Sequence, residues 1–216
     1  MNPKHQTRLV AVSKTKPNEL IMAAYSTGHR HFGENYAQEI VTKSPSLPND
    51  IAWHFIGHLQ SNKVNKLVES VPNLWAVETV DSFKLASALS KAVVKQNKAE
   101  DLNIFIQVNT SGEEQKSGVP PEEAVELAKK IYNNPELKKI KLIGLMTIGA
   151  LEGDATQDFK KLVVCREKVA EALGINPDQL ELSMGMSHDF LKAIELGSTN
   201  VRIGSTIFGV RPQKQH

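Results

Sequence analysis

The stretch Leu9-Val10-Ala11-Val12-Ser13-Lys14-Thr15-Lys16-Pro17 decides between two α/β folds. It starts as a short β-rich run, and β-rich and helical runs alternate after it along the whole chain, which is typical of parallel βα units. An open, doubly wound sheet usually carries a glycine-rich turn directly after its first strand. The segment after this strand contains no glycine. The stretch therefore favours a closed (β/α)8 barrel over the open sheet.

Eight βα units can be counted outward from this stretch. Helix start signals such as Pro17-Asn18-Glu19 and Asp81-Ser82 separate the β-rich runs, and Gly174 is placed to end a helix. Eight strands joined by right-handed crossovers can close, so we predict an α/β (β/α)8 TIM barrel forming a single domain over residues 1–216. The predicted strands are Arg8 to Ser13, His31 to Glu34, Ala52 to Gly57, Leu74 to Thr79, Asn103 to Asn109, Leu142 to Ile148, Leu180 to Gly185 and Asn200 to Gly204.

The composition argues against several classes of partner. Lys and Arg number 26 against 24 for Asp and Glu, and a net charge of +2 does not suit a nucleic-acid-binding surface. No stretch approaches the roughly 18 apolar residues of a membrane span, and the polar residues Met1 to Arg8 do not resemble a signal peptide. We therefore expect a cytoplasmic protein. The lone Cys165 has helical spacing and is expected to be a buried small hydrophobe.

The end of the first predicted strand carries a candidate nucleophile. Strand alternation puts Val10, Val12 and Lys14 on one face, and if that face turns inward, Lys14 points into the mouth of the barrel. There the amine would lose hydration and its pKa would fall, so that it could attack an aldehyde. The alternative is a solvated lysine at the end of a strand. Lys16 is the weaker candidate because it precedes Pro17.

The eighth strand ends in a candidate phosphate site. Val201 and Ile203 share one face, which leaves Arg202 directed toward the barrel interior, where its charge needs a partner. Gly204-Ser205-Thr206 offers amide donors and two hydroxyls in the place where barrels often bind phosphate. A tight turn before a core Ile207-Phe208 pair is an equally good explanation of these residues.

The seventh strand adds two more hydroxyls. Ser183 and Ser187 lie at its end, before a predicted helix that begins near His188, and both can meet a phosphate. Ser187 alone is better explained as a helix N-cap. However, strands one, seven and eight are neighbours only if the sheet closes. The three segments together therefore point to one site that joins an amine, a guanidinium and a phosphate cradle.

Six ordered runs of the sequence resemble the pyridoxal phosphate homeostasis protein family, a relative of the barrel domain of alanine racemase. The resemblance extends from about residue 8 to residue 211. The runs are Ala11-Val12-Ser13-Lys14-Thr15-Lys16-Pro17, Phe32-Gly33-Glu34-Asn35-Tyr36, Trp53-His54-Phe55-Ile56-Gly57-His58-Leu59-Gln60, Gly144-Leu145-Met146-Thr147-Ile148-Gly149, Leu182-Ser183-Met184-Gly185-Met186-Ser187 and Val201-Arg202-Ile203-Gly204-Ser205-Thr206-Ile207-Phe208-Gly209.

The resemblance implies pyridoxal 5'-phosphate as cofactor, held covalently on Lys14 as a Schiff base. It further implies that Arg202 approaches the pyridine nitrogen. The residues implied around the phosphate are Ser183, Ser187, Gly204, Ser205 and Thr206, and those implied with less support around the ring are Asn35, His58, Asn109 and Met146. His54 is as well explained as a core histidine. Family members usually have a helix before the first strand, whereas only eight residues precede Leu9, so the chain is either trimmed or less covered on one side.

The residues also suggest what kind of function to expect. Arginine can donate a hydrogen bond to the ring nitrogen but does not hand over a proton, so the ring stays neutral and is a weak electron sink. Racemisation needs an acid or base on each face, and of the three tyrosines only Tyr36 lies near a predicted strand end. We therefore expect a non-enzymatic holder of pyridoxal phosphate in vitamin B6 and amino-acid homeostasis.

Two alternatives to this expectation stay open. One is an amino-acid racemase of low activity, and the other is a Schiff-base aldolase without a cofactor. The expected partners are pyridoxal phosphate itself and apo forms of enzymes that depend on it. A monomer is expected.

Overall fold

The computed structural model describes residues 6–113, 116–150 and 154–209. Eight parallel strands follow one another around a closed barrel in chain order. They are β1 (Arg8–Val12), β2 (His31–Glu34), β3 (Ala52–Phe55), β4 (Leu74–Val80), β5 (Leu102–Gln107), β6 (Ile140–Met146), β7 (Glu181–Ser183) and β8 (Asn200–Ile203). The predicted TIM barrel is confirmed, and the open sheet is excluded because β1 pairs with β8 as well as with β2.

Helices connect the strands on the outside of the barrel. They are α1 (Asn18–Ser26), α2 (Ala37–Lys43), α3 (Val64–Ser70), α4 (Phe83–Lys95), α5 (Pro121–Ile131), α6 (Thr156–Leu173), α7 (Phe190–Glu195) and α8 (Ser205–Phe208). Two of the predicted helix signals act as local chemistry predicts, whereas α1 begins after Pro17 without a side-chain cap. The Ser82 hydroxyl accepts a hydrogen bond from the amide of Leu85 and caps α4, and Gly174 ends α6 in the left-handed conformation.

Several strands end earlier than the alternation pattern predicts. β3 stops at Phe55 rather than Gly57, β5 at Gln107 rather than Asn109, and β6 at Met146 rather than Ile148. Apolar alternation continues into the loops because those residues still pack at the barrel mouth, as Ile56 does. The pattern therefore records burial, whereas the strand itself ends where parallel pairing stops.

The apolar core has two parts. The larger part lies between the sheet and the helices, and Phe32, Trp53 and Phe159 are fully buried in it. The smaller part includes Phe105 and Met146 and forms a separate cluster. The side chains of β1 alternate between two sides of the sheet. Val10 and Val12 lie on one side, since a Cβ added to Gly33 would meet both, whereas Ala11 belongs to the larger part of the apolar core.

Two negative results concern the described residues only. Within those three ranges, no helix is long and apolar enough to cross a membrane. The same residues contain no group of three or more His, Cys, Asp or Glu side chains arranged to hold a metal ion.

Candidate functional site

The candidate site is a cavity of about 430 Å³ at the carboxyl ends of the strands. Cavities of this size take small organic ligands, and barrels place their functional groups at this end. Its lining combines positively charged side chains with an apolar wall that includes Val12 and Ile56. The cationic or titratable members are Lys14, Lys16, Lys116, His188 and Arg202. A larger groove of about 640 Å³ lies between α5 and α6, on the outer surface and away from the strand ends.

Lys14 lies two residues after the end of β1 and lines this cavity together with Val12. The strand ends in a backbone hydrogen bond from the amide of Ser13 to the carbonyl of Gly33 on β2, at 2.9 Å. Val10 and Val12 lie on the same side of the strand, so Lys14, two residues further on, continues that side into the barrel mouth. Lys14 is half-buried there. The structure therefore brings the sequence-based candidate nucleophile to the cavity wall.

A buried ion cluster holds the loop that carries Lys14. Lys43, on α2, donates from Nζ to the carbonyl of Ser13 at 3.0 Å, to Glu34 Oε1 at 2.7 Å and to Glu39 Oε2 at 2.6 Å. The Ser13 hydroxyl also donates to Glu34 Oε1 at 2.7 Å. We call Lys43, Glu34 and Glu39 the Lys43 clamp.

The Lys43 clamp also supports an unusual backbone conformation. Thr15 has a φ of 62°, in the left-handed region that is unfavourable for a residue with a branched side chain. Its amide donates to Glu39 Oε2 at 2.8 Å, which compensates part of that cost. Burial raises the pKa of Glu34, and the hydrogen bond and charge of Lys43 oppose the rise. The backbone on both sides of Lys14 is thus tied to one buried charge cluster.

Arg202 lies at the floor of the cavity and is almost fully buried. Its Nη1 donates to the hydroxyl of Ser183 at 2.7 Å and its Nη2 to the carbonyl of Thr147 at 2.8 Å. Burial lowers the pKa of Arg202, and the carboxylates of Glu78 and Asp189 oppose this effect. The guanidinium is therefore held on two sides while it faces the cavity.

The opposite end of the cavity is rich in small residues. Gly204, Ser187 and Ser205 line it. The Ser187 hydroxyl oxygen accepts from the amide of Gly204 at 3.2 Å and from the amide of Thr206 at 3.4 Å. Backbone donors that converge on one oxygen in this way suit an anion. This end is open, since Ser205 and Thr206 are exposed.

Comparison with known proteins assigns the sequence to a family. The sequence model of the alanine racemase N-terminal domain matches residues 1–212. The pyridoxal phosphate homeostasis protein of Homo sapiens is 50% identical over 218 residues, covering 97% of this chain and 78% of that protein. The protein of the same name from Bos taurus is 52% identical over 219 residues, covering 97% and 79%. The chain belongs to the pyridoxal phosphate homeostasis protein family.

Solved structures agree with this membership. An unknown protein from Bifidobacterium adolescentis matches with a TM-score of 0.82 and 38% identity over 94% of this chain and 84% of that one. PipY of Synechococcus elongatus, solved with pyridoxal phosphate bound, matches with a TM-score of 0.79 and 33% identity over 97% and 94%. Alanine racemase from Corynebacterium glutamicum, at 16% identity and a TM-score of 0.68 over 97% and 58%, shares the fold. The resemblance seen in the six sequence runs is thus confirmed.

Five residues that the family resemblance suggested do not line the cavity, namely Ser183, Met146, His58, Thr206 and Asn109. Ser183 is fully buried beneath Arg202, and its hydroxyl is engaged by side chains of the barrel interior. Met146 is also fully buried, in the smaller core cluster. His58 is exposed, and its Nδ1 lies 3.1 Å from the Ser117 hydroxyl. Thr206 contributes a backbone amide at the rim.

The physical reason for these differences is side-chain direction. A strand end brings several consecutive residues near the mouth, but the side chains of neighbouring residues point to opposite sides or to different depths. Asn35 does line the cavity, and its buried Oδ1 has no hydrogen-bond partner among the described residues. Asn109 instead bonds within its own loop, donating to the carbonyl of Glu113 at 3.0 Å.

Sequence reasoning did not single out three residues that line the cavity. Lys116 comes from the loop after β5, and its Nζ donates to the carbonyl of Gly149 at 2.5 Å. His188 and Met186 come from the loop after β7. The position of these residues in loops after strands was a partial signal, because a barrel builds its site from such loops. The sequence does not show which residue of a long loop turns toward the cavity.

Proposed function

We propose that the protein binds pyridoxal 5'-phosphate in this cavity, attached covalently to Lys14 as a Schiff base, and holds it without catalysing turnover. In this role it would act in the balance of vitamin B6 and amino acids in the cell. The observation that carries the proposal is that Lys14, Arg202 and the amide donors around Ser187 face one cavity. Relatives at about 50% identity carry the name pyridoxal phosphate homeostasis protein.

The residues present fit this cofactor. Pyridoxal phosphate supplies an aldehyde that condenses with an amine and a ring that withdraws electrons. The Lys14 amine suits attachment of the aldehyde, and the Arg202 guanidinium suits hydrogen bonding to the ring nitrogen. The amides of Gly204 and Thr206 already converge on a hydroxyl oxygen, so they suit a phosphate oxygen. Asn35 also lines this cavity, and its buried Oδ1 has no hydrogen-bond partner in the described part of the chain.

A holding role fits better than catalysis for two reasons. Arg202 can donate a hydrogen bond but keeps its proton, so it does not make the ring a strong electron sink. In addition, racemisation needs an acid or base on each face. Among the described residues of the lining no tyrosine is present, and Lys16, Lys116 and His188 already contact main-chain or carboxylate oxygens. Tyr36 is half exposed and lies outside the lining.

The exposed end of the cavity is the basis for proposing a carrier. Arg202 is buried, whereas Ser205 and Gly209 are exposed, so a bound phosphate would remain accessible from solvent. We propose that the cofactor is passed to apo-enzymes in the cytoplasm and that the protein acts as a monomer. Transfer to an apo-enzyme in the presence of a scavenger of the released cofactor tests this, and transfer no faster than spontaneous release would refute it.

The attachment point has a direct test with a matched control. Lys14 and Lys16 line the same cavity, so Lys14→Ala and Lys16→Ala remove the same group two residues apart. We expect a visible absorption band that borohydride removes, with the label mapped to Lys14 in the wild type and in Lys16→Ala, and absent in Lys14→Ala. Label on Lys16, or none on the wild type, would refute the proposal.

The non-enzymatic part needs a separate measurement. Amino acids are incubated with the loaded protein in deuterium oxide, and exchange at the α-carbon is followed by mass spectrometry. We expect no exchange beyond that given by free pyridoxal phosphate. Exchange that Lys14→Ala abolishes would instead support the alternative, a racemase of low activity.

A further inference from the structure

A buried carboxylate crosses the inside of the barrel beneath the cavity. Glu78 lies on β4, four strands away from β8 in the closed sheet, and is fully buried. Its Oε1 lies 2.6 Å from Nδ1 of His54, and its other oxygen accepts from the Ser183 hydroxyl. Asn200 donates to both carboxylate oxygens, at 3.3 and 3.4 Å. The carboxylate thus has a partner on each side and is removed from the surface.

The Ser183 hydroxyl connects this carboxylate to the site. Its single proton is donated to Glu78, while its oxygen accepts from Arg202 Nη1 at 2.7 Å and from Asn200 Nδ2 at 2.9 Å. A hydroxyl has one donor and two acceptor positions, so all three are used. The direction of each bond is therefore fixed, and Arg202 must be the donor. This also explains why Ser183 is not available to a phosphate.

The charges of Glu78 and Arg202 depend on each other. Both side chains are removed from water, and an isolated buried charge is costly. Burial by itself would raise the pKa of Glu78, but the hydrogen bond and charge of His54, together with Arg202 and Ser183, hold it below its usual value. The ionised carboxylate is then the buried counter-charge of the guanidinium at the cavity floor.

We infer that Glu78 is a positioning residue, which acts through the Ser183 hydroxyl to hold the Arg202 guanidinium in place, facing the cavity. The inference rests on the proposed function, since the ligand toward which Arg202 is directed would be the ring nitrogen of pyridoxal phosphate. Thr147 provides the second fixed point through its carbonyl. Without Glu78, the guanidinium would keep its hydrogen bond to the Thr147 carbonyl but lose its buried counter-charge.

Ser183→Ala is the sharpest test, because it removes the link and leaves both charges in place. Ser90→Ala is the matched control, since Ser90 is also a buried serine, with its hydroxyl bonded to the carbonyl of Lys138, outside the cavity. Glu78→Gln removes the charge at constant shape. Pyridoxal phosphate is titrated into each protein, and the Kd, the absorption maximum of the bound form and its pH dependence are measured.

We expect Ser183→Ala and Glu78→Gln to raise the Kd roughly ten- to a hundredfold, the loss typical of a charge-assisted hydrogen bond. We also expect them to shift the absorption maximum, whereas Ser90→Ala changes neither. A mere loss of stability would not move the absorption maximum. Wild-type Kd and spectrum in both folded variants would overturn the inference, and if Glu78→Gln fails to fold, Ser183→Ala alone decides.

A second measurement works without the cofactor and separates this inference from the proposed function. The Nη1–H protons of Arg202, which donate to the Ser183 hydroxyl, are assigned in the NMR spectrum by their absence in Arg202→Lys. We expect a slowly exchanging resonance in the wild type that broadens or disappears in Ser183→Ala but not in Ser90→Ala. An unchanged resonance would overturn the inference whether or not the wild type binds pyridoxal phosphate, while absence of wild-type binding refutes only the proposed function.

Discussion

Removal of the Lys43 amine should destabilise the protein by an amount that depends on pH. Lys43→Met keeps the aliphatic stem but leaves the Glu34 carboxylate buried without its cation. The side chain of Glu34 is fully buried, so the carboxylate must then either stay charged at high cost or take up a proton. Proton uptake is the cheaper response, and it sets an upper limit on the loss.

The limit follows from the ordinary pKa of glutamate. Protonating a carboxyl of pKa 4.5 at pH 7 costs about 3.4 kcal/mol, because one pKa unit is worth about 1.36 kcal/mol. The pKa of Glu34 is already raised in the wild type, so the difference from the variant must be smaller than this limit. The lost contact with the more exposed Glu39 adds about 1 kcal/mol or less. We expect a total loss of about 2 to 4 kcal/mol at pH 7.

The sign of the pH dependence follows from the same reasoning. Lys43→Met raises the folded-state pKa of Glu34 further. The loss of stability in this variant therefore appears above the unfolded-state pKa of Glu34 and grows as the pH rises. At pH 5 the limit falls to about 0.7 kcal/mol. Urea denaturation of Lys43→Met and wild type at several pH values measures this. A loss that does not shrink as the pH falls would refute the assignment to Glu34.

Two further variants separate the parts of the Lys43 clamp. The double variant Lys43→Met/Glu34→Gln removes the buried charge as well, so we expect it to recover most of the stability at pH 7. Glu39→Gln removes the charge that meets Lys43 but keeps an amide oxygen that can accept from the Thr15 amide, so it should cost about 1 kcal/mol or less. Because the clamp holds the loop around Lys14, we also expect slower borohydride-trapped labelling of Lys14 in Lys43→Met.

Three other predictions test burial and packing. Gly57→Ala should cost more than about 3 kcal/mol in urea denaturation, because its Cβ would lie 1.8 Å from the carbonyl oxygen of Asn35, whereas Gly174→Ala, with open space and a φ of 67°, should cost about 1 to 2 kcal/mol. Burial raises the pKa of Cys165 to about 11, so a thiol reagent at pH 8 should react on the order of a hundredfold more slowly than with the urea-unfolded chain, and equal rates would contradict this. Burial and the neighbouring His54 lower the pKa of His31 to about 3. Between pH 6.5 and pH 3 the unfolded chain therefore binds a proton at His31 that the folded chain does not, and the free energy of unfolding falls as the pH falls. In urea denaturation at several pH values, His31→Gln should make the free energy of unfolding depend less on pH in this range.

Much of the fold was accessible from sequence because its signals are local. A few consecutive residues are enough to recognise a β-rich run, a polar helix start or a glycine that ends a helix. Ser82 and Gly174 are examples of the last two. Strand alternation predicted the side of the chain on which Lys14 lies, and the structure has Lys14 at the cavity. Strand ends were less accessible, because apolar residues continue past the last paired residue, as at Ile56.

The sequence by itself determined the βα order and the side of the strand on which Lys14 lies, because both depend on period-two or period-3.6 patterns along the chain. It favoured the closed barrel through the count of eight units and the missing glycine-rich turn, and the pairing of β1 with β8 decided closure. Only the tertiary structure decided the roles of Ser183 and Glu78. These residues lie 105 positions apart in the chain, and their contact crosses the barrel interior. Whether a buried hydroxyl meets a ligand or a carboxylate depends on which side chain arrives from the opposite strand, and no local pattern records that.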